Sequence, residues 1–72
     1  MAVRLPKSER SKKARDDLEL YSRMLRGGNV HGCLVIEREW EIDGLPPNVV
    51  TALLYDVGEG KTLLKAMDDL GM

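Results

Sequence analysis

Residues 29–44 of this 72-residue chain read NVHGCLVIEREWEIDG, and two interleaved rows run through them. Val30, Gly32, Leu34, Ile36, Arg38, Trp40 and Ile42 fall on one row. His31, Cys33, Val35, Glu37, Glu39, Glu41 and Asp43 fall on the other. Alternation of this kind is the pattern of a half-buried strand. Fully extended, residues 30–43 would span roughly 45 Å, well beyond a usual strand of about five or six residues. A hairpin is therefore the expected solution. A three-residue connection, Glu37-Arg38-Glu39, sets Ile36 opposite Trp40 and Leu34 opposite Ile42, which places all four on one face. A two-residue turn at Glu37-Arg38 mixes the faces, and a slip of one residue sends the apolar set to the wrong side. The turn lacks the Gly, Asn or Asp that tight hairpins favour. One long strand pairing with its own copy across a two-fold axis stays open as the alternative.

Helical patterns flank this stretch. Residues 1–7 are expected to be disordered, with Pro6 barring an earlier helix start, and Ser8 suits an N-cap. From 8 to 26, Ala14, Leu18, Tyr21 and Leu25 form one apolar stripe, widened by Leu20 and Met24. Lys12–Asp16, Arg15–Glu19 and Glu19–Arg23 are opposite charges at i, i+4 on the other face. Gly27-Gly28-Asn29 ends the helix. Gly44-Leu45-Pro46-Pro47 breaks the strand stretch, and Pro47 suits the first turn of a second helix. That helix covers 48–57, with Val50, Leu53, Leu54 and Val57 on one stripe. Gly58-Glu59-Gly60 interrupts it. Residues 61–70 resume, with Leu63, Ala66, Met67 and Leu70 in line. In one straight helix the second stripe would be rotated by about 100° from the first, so two short helices with a bend at 58–60 are expected.

The expected fold is a single α+β domain over 1–72: a helix, a β-hairpin, and a bent C-terminal helical segment covering one sheet face. A core this small is marginal alone, and a two-stranded hairpin is rarely stable by itself. Pairing of hairpin edges into a four-stranded sheet predicts a homodimer.

The sole cysteine, Cys33, sits in the apolar run Cys33-Leu34-Val35-Ile36. It excludes an intrachain disulfide and reads as a small buried hydrophobe, since no nearby Lys or helix N-terminus would activate its thiol. A reducing compartment suits it. No run approaches the ~20 apolar residues of a membrane span, and the basic N-terminus lacks the apolar segment of a secretory signal. The cytoplasm is the expected location. The net charge of −1 hides a polarity: residues 1–28 hold eight Lys/Arg against four Asp/Glu, and residues 29–72 hold three against eight. The basic segment could meet phosphate, or dock on the acidic face of another copy, or remain a solvated helix face paired within itself.

Several patterns were weighed for chemistry. Gly58-Glu59-Gly60-Lys61-Thr62 ends like a phosphate-binding loop, but Tyr55 stands where the leading glycine belongs, and a helix precedes it instead of a strand. His31 and Cys33 share a strand face, yet two ligands do not make a tetrahedral metal site unless a dimer supplies two more. Glu37, Glu39, Glu41 and Asp43 form an open acidic row, which suits a solvated strand face that resists edge aggregation. No catalytic residue, metal or cofactor is expected, and the chain is not expected to be an enzyme.

Residues 61–72, with Gly60-Lys61-Thr62-Leu63, then Ala66, then Leu70-Gly71-Met72, resemble the front half of a helix-turn-helix of phage packaging proteins and small repressors. The helix that would enter the major groove has no counterpart here. A charged helix, then Gly28-Asn29-Val30-His31-Gly32 with Cys33 to Ile36, a hairpin return and a terminal helix also resemble small phage and prophage proteins in layout. That resemblance implies a helix–hairpin–helix domain in a phage or prophage setting and no activity.

Two function classes follow. The first is a small interaction module, a phage- or prophage-encoded regulator that binds one host or phage protein, with Arg38, Trp40 and Ile42 as interface candidates; Trp40 reads first as core and second as an interface anchor beside Arg38. The second is a nucleic-acid-binding regulator using the basic segment 4–15, with Lys12, Lys13 and Arg15 as contacts. No aromatic is interleaved there for base stacking.

Overall fold

One long helix carries the two that follow it, and the last, short helix rests on the third. In the computed structural model, which describes residues 7–71, α1 spans Lys7–Gly27, α2 Val30–Glu39, α3 Pro47–Gly58 and α4 Leu63–Asp69. No strand occurs among the described residues. The fold is a small all-helical bundle, not α+β, and the hairpin at 29–44 is replaced by α2 and a loop. The expected intersubunit sheet loses its strands with it. Ser8 lies inside α1. Lys7 belongs to α1 as well, while the expected disorder at 1–6 lies outside the described residues.

The physical reason for the helix at 30–39 is a second period hidden in the same letters. Cys33, Ile36, Glu37 and Trp40 stand at i, i+3, i+4 and i+7, and all four are buried. The Asn29 side chain accepts a 3.0 Å hydrogen bond from the Gly32 N–H, capping the first turn. Leu34, Glu37, Arg38 and Glu39 are good helix formers, and the missing turn residue at 37–39 is a missing hairpin. Tertiary burial of the period-3.6 stripe overrides the period-two reading.

α2 then ends in a tight reversal. Glu41 takes the left-handed conformation at φ 59°, the position glycine usually holds. The Ile42 N–H donates to the Glu37 carbonyl at 2.8 Å and the Glu41 N–H to the Arg38 carbonyl at 3.1 Å. This turn swings Ile42 into the core, where it is 2% exposed.

The flanking helices follow the sequence expectations closely. Pro47 sits in the first turn of α3, and Val50, Leu53, Leu54 and Val57 are all buried. The chain bends through Glu59 and Gly60 before α4, whose first turn is capped by Thr62 Oγ1 accepting from the Lys65 N–H at 3.2 Å. α1 packs most extensively on α3, then on α2, while α4 rests on α3. Ala14 and Tyr21 of α1 meet Cys33, Ile36 and Trp40 of α2, the α3 stripe, and Ala66 of α4 in one core. Where α1 crosses the end of α3, a Cβ on Gly58 would lie 2.8 Å from Arg15 Cγ, so only glycine permits that approach.

Candidate functional site

An apolar concavity lies at the α1–α2 turn. α1 closes through Gly28 at φ 76°, and the Asn29 N–H donates to the Met24 carbonyl at 2.8 Å. The cap at Asn29 restarts the chain as α2 immediately. The last turns of α1 and the first turns of α2 therefore face each other. Between them opens a cleft of about 170 Å³, lined by Tyr21, Met24, Leu25, Val30, Cys33, Leu34 and Glu37, with Pro47 of α3 at its side. Leu25 and Val30 are 40% and 69% exposed, while Tyr21 is fully buried.

Its one charged wall group is Glu37, a buried carboxylate. The Tyr21 hydroxyl donates to Glu37 Oε2 at 2.7 Å. Burial, and then the Glu37 carboxylate, hold the Tyr21 phenol far above its ordinary pKa. Burial and the same charge also raise the Cys33 thiol. Cys33 is free and buried, so it packs as a small hydrophobe and lacks the thiolate character of a nucleophile.

Size limits what the cleft can take. Small-molecule sites run to roughly 300–1,000 Å³, and a cavity of ~150 Å³ holds a single benzene. At about 170 Å³ this cleft has room for one large side chain and not for a nucleotide or a comparable cofactor.

The residues singled out from the sequence are placed differently from one another. Trp40 and Ile42 lie in the core, 3% and 2% exposed, and are not available to a partner; only Arg38 of that trio is exposed. The Trp40 indole N–H donates to Asp17 Oδ2 at 2.8 Å. Asp17 also takes Lys13 Nζ at 2.9 Å, and Lys13 pairs with Glu39 as well. Partial burial opposes the Lys13 charge, but the bonds to Glu39 and Asp17 outweigh it and raise the pKa. Lys13 thus ties α1 to the end of α2. Arg15 donates from its guanidinium to the Gly58 carbonyl at 3.0 Å, at the C-terminus of α3, where a cation is favoured. Lys12 is exposed but shares its groove with Glu9, Asp16 and Asp17. Of the three expected i, i+4 pairs, Glu19–Arg23 forms at 2.9 Å.

The remaining patterns resolve structurally. His31 and Cys33, two positions apart on a helix, lie about 200° around its axis, with His31 exposed and Cys33 buried. No group of three or more potential metal ligands occurs among the described residues. The acidic row is dispersed: Glu37 is buried, Glu39 pairs with Lys13 and Glu41 forms the turn. Lys61 holds Asp69 at 2.7 Å and Asp56 at 4.0 Å, so the loop that resembled a phosphate cradle pins α4 to the end of α3. No described helix is long and apolar enough to cross a membrane.

The cleft residues Tyr21, Leu25, Val30 and Glu37 were not selected by sequence reasoning. A signal for them exists: Glu37 is the single acid in the buried stripe 33, 36, 37, 40. No family model, curated protein or solved structure matches the chain.

Proposed function

We propose that this chain is a small, non-enzymatic protein–protein interaction module, and that the cleft at the α1–α2 turn receives a side chain of its partner. The observation that carries this reading is the exposure of Leu25 and Val30 at the mouth of an apolar cleft too small for a cofactor. Apolar side chains beside an apolar cleft suit an anchor residue entering it, the usual source of binding energy. Nucleic-acid binding draws less support, because Lys13 and Arg15 are engaged within the fold and Lys12 sits among carboxylates. The phage setting rested on a hairpin layout that α2 replaces, and it forms no part of the proposal.

The test is capture from nuclease-treated lysate by the full chain, compared with Val30→Ser, Leu25→Gln and Lys12→Ala. A stoichiometric protein partner is expected on the unaltered chain and on Lys12→Ala. Its affinity should fall roughly tenfold in the two cleft variants, a loss of about 1.4 kcal/mol. Both substitutions are at exposed positions, so melting temperatures should barely move. A partner bound equally by all four proteins, or nucleic acid recovered and lost with Lys12→Ala, contradicts the proposal.

A further inference from the structure

We infer that the side chain this cleft accepts is an arginine, with its guanidinium on the Glu37 carboxylate. The inference rests on the reading of the cleft as a partner site and adds the chemistry of the occupant.

Glu37 is 7% exposed and lines a cleft that it shares with the apolar Met24, Leu25, Val30, Leu34 and Cys33 and with Tyr21 and Asn29. Burying a charge is costly unless it is paired. Among the described residues, Glu37 makes no ion pair, although Lys13, Arg23, Lys61 and Lys65 all do. Its carboxylate receives one side-chain hydrogen bond, from the Tyr21 hydroxyl. A carboxylate has about four acceptor sites, so it can accept from an entering cation while keeping the Tyr21 bond. Apolar walls around an unpaired carboxylate match a long apolar stem that ends in a cation.

Arginine fits this better than lysine. Its guanidinium is planar, more weakly hydrated than an ammonium, and able to give two parallel hydrogen bonds to one carboxylate. Less hydration is lost on entering a cleft where only protein groups surround it. The volume of about 170 Å³ suits one such side chain. The partner segment therefore presents an arginine, with apolar neighbours to cover Leu25 and Val30 at the mouth.

The test uses the arginine side chain itself. The isotope-labelled full chain is titrated with n-propylguanidinium and, separately, with n-propylurea, its neutral isostere, while the amides of Cys33, Leu34 and Glu37 are followed by NMR. The guanidinium should bind about tenfold more tightly than the urea, and Glu37→Gln should abolish that preference while leaving urea binding in place. Equal affinity of the two probes for the unaltered chain overturns the arginine assignment even if Glu37→Gln fails to fold, and leaves the partner cleft standing. Preference that survives Glu37→Gln also overturns it. If neither probe moves these amides, both the assignment and the partner cleft fall. Shifts at the same amides that depend on protein concentration alone would mark a second copy as the occupant and overturn the assignment.

Discussion

At the scale of single residues, the contact that matters most is the buried bond from Tyr21 to Glu37. Removing the hydroxyl leaves a buried carboxylate without its donor, which costs about 1–3 kcal/mol. Tyr21→Phe should therefore lower unfolding free energy by roughly 2 kcal/mol at neutral pH, measured by urea denaturation. The pH dependence has a definite sign. An unfolded tyrosine ionises near ~10, whereas folded Tyr21 holds its proton to higher pH. Above about pH 10 the unfolded chain binds fewer protons than the folded one, so stability falls as pH rises. The contribution is complete below that pH, and the gap between the unaltered chain and Tyr21→Phe should narrow above it. A gap near zero at neutral pH would contradict this. Side-chain roles were the least legible part of the sequence. Lys13 and Arg15 count as cations in any composition; Asp17 is an i, i+4 neighbour of Lys13 within α1, and only the crossing of α1 with α2 and α3 shows that Glu39 and Gly58 engage them. Trp40 as core was legible; its partner Asp17, 23 positions away, was not.

At the scale of elements, the helices whose apolar stripe has one period were readable, and the one with two was not. α3 shows Val50, Leu53, Leu54 and Val57 in line behind Pro47, and the break at Gly58-Glu59-Gly60 separates α4 as expected. α2 carries both a strand-like alternation and the stripe 33, 36, 37, 40. Two local signs favoured the helix: Asn29 as an N-cap and the lack of any turn former at 37–39. The end of α2 was obscured because its left-handed residue is Glu41 and not glycine. That conformation costs a non-glycine residue about 1–2 kcal/mol, partly offset by the extra freedom glycine has when unfolded. Glu41→Gly should raise the urea midpoint by an amount worth about 0.5–1 kcal/mol. A lower midpoint would show that Glu41 makes a contact that outweighs its backbone strain.

At the scale of the whole molecule, the chain closes its own core. Its radius of gyration is 11.2 Å, against ~11 Å for a folded chain of this length. The dimer was expected from pairing of hairpin edges; no strand occurs among the described residues to pair, and Trp40 and Ile42 are buried within one chain. Of the charge polarity between halves, plain in the sequence, Lys13 and Glu39 form a pair that joins them, while Lys13–Asp17, Arg23–Glu19, Lys61–Asp69 and Lys65–Asp69 each lie within one half. The proposed partner site is the cleft where α1 turns into α2, and it exists only if residues 30–39 are helical. The backbone chemical shifts of 29–44 test that most directly. The account predicts an unbroken run of helical Cα shifts over 30–39, with contacts between the Tyr21 ring and the Glu37 side chain. Extended shifts over the same residues, with cross-strand contacts between Ile36 and Trp40, would remove the cleft and the proposed function with it.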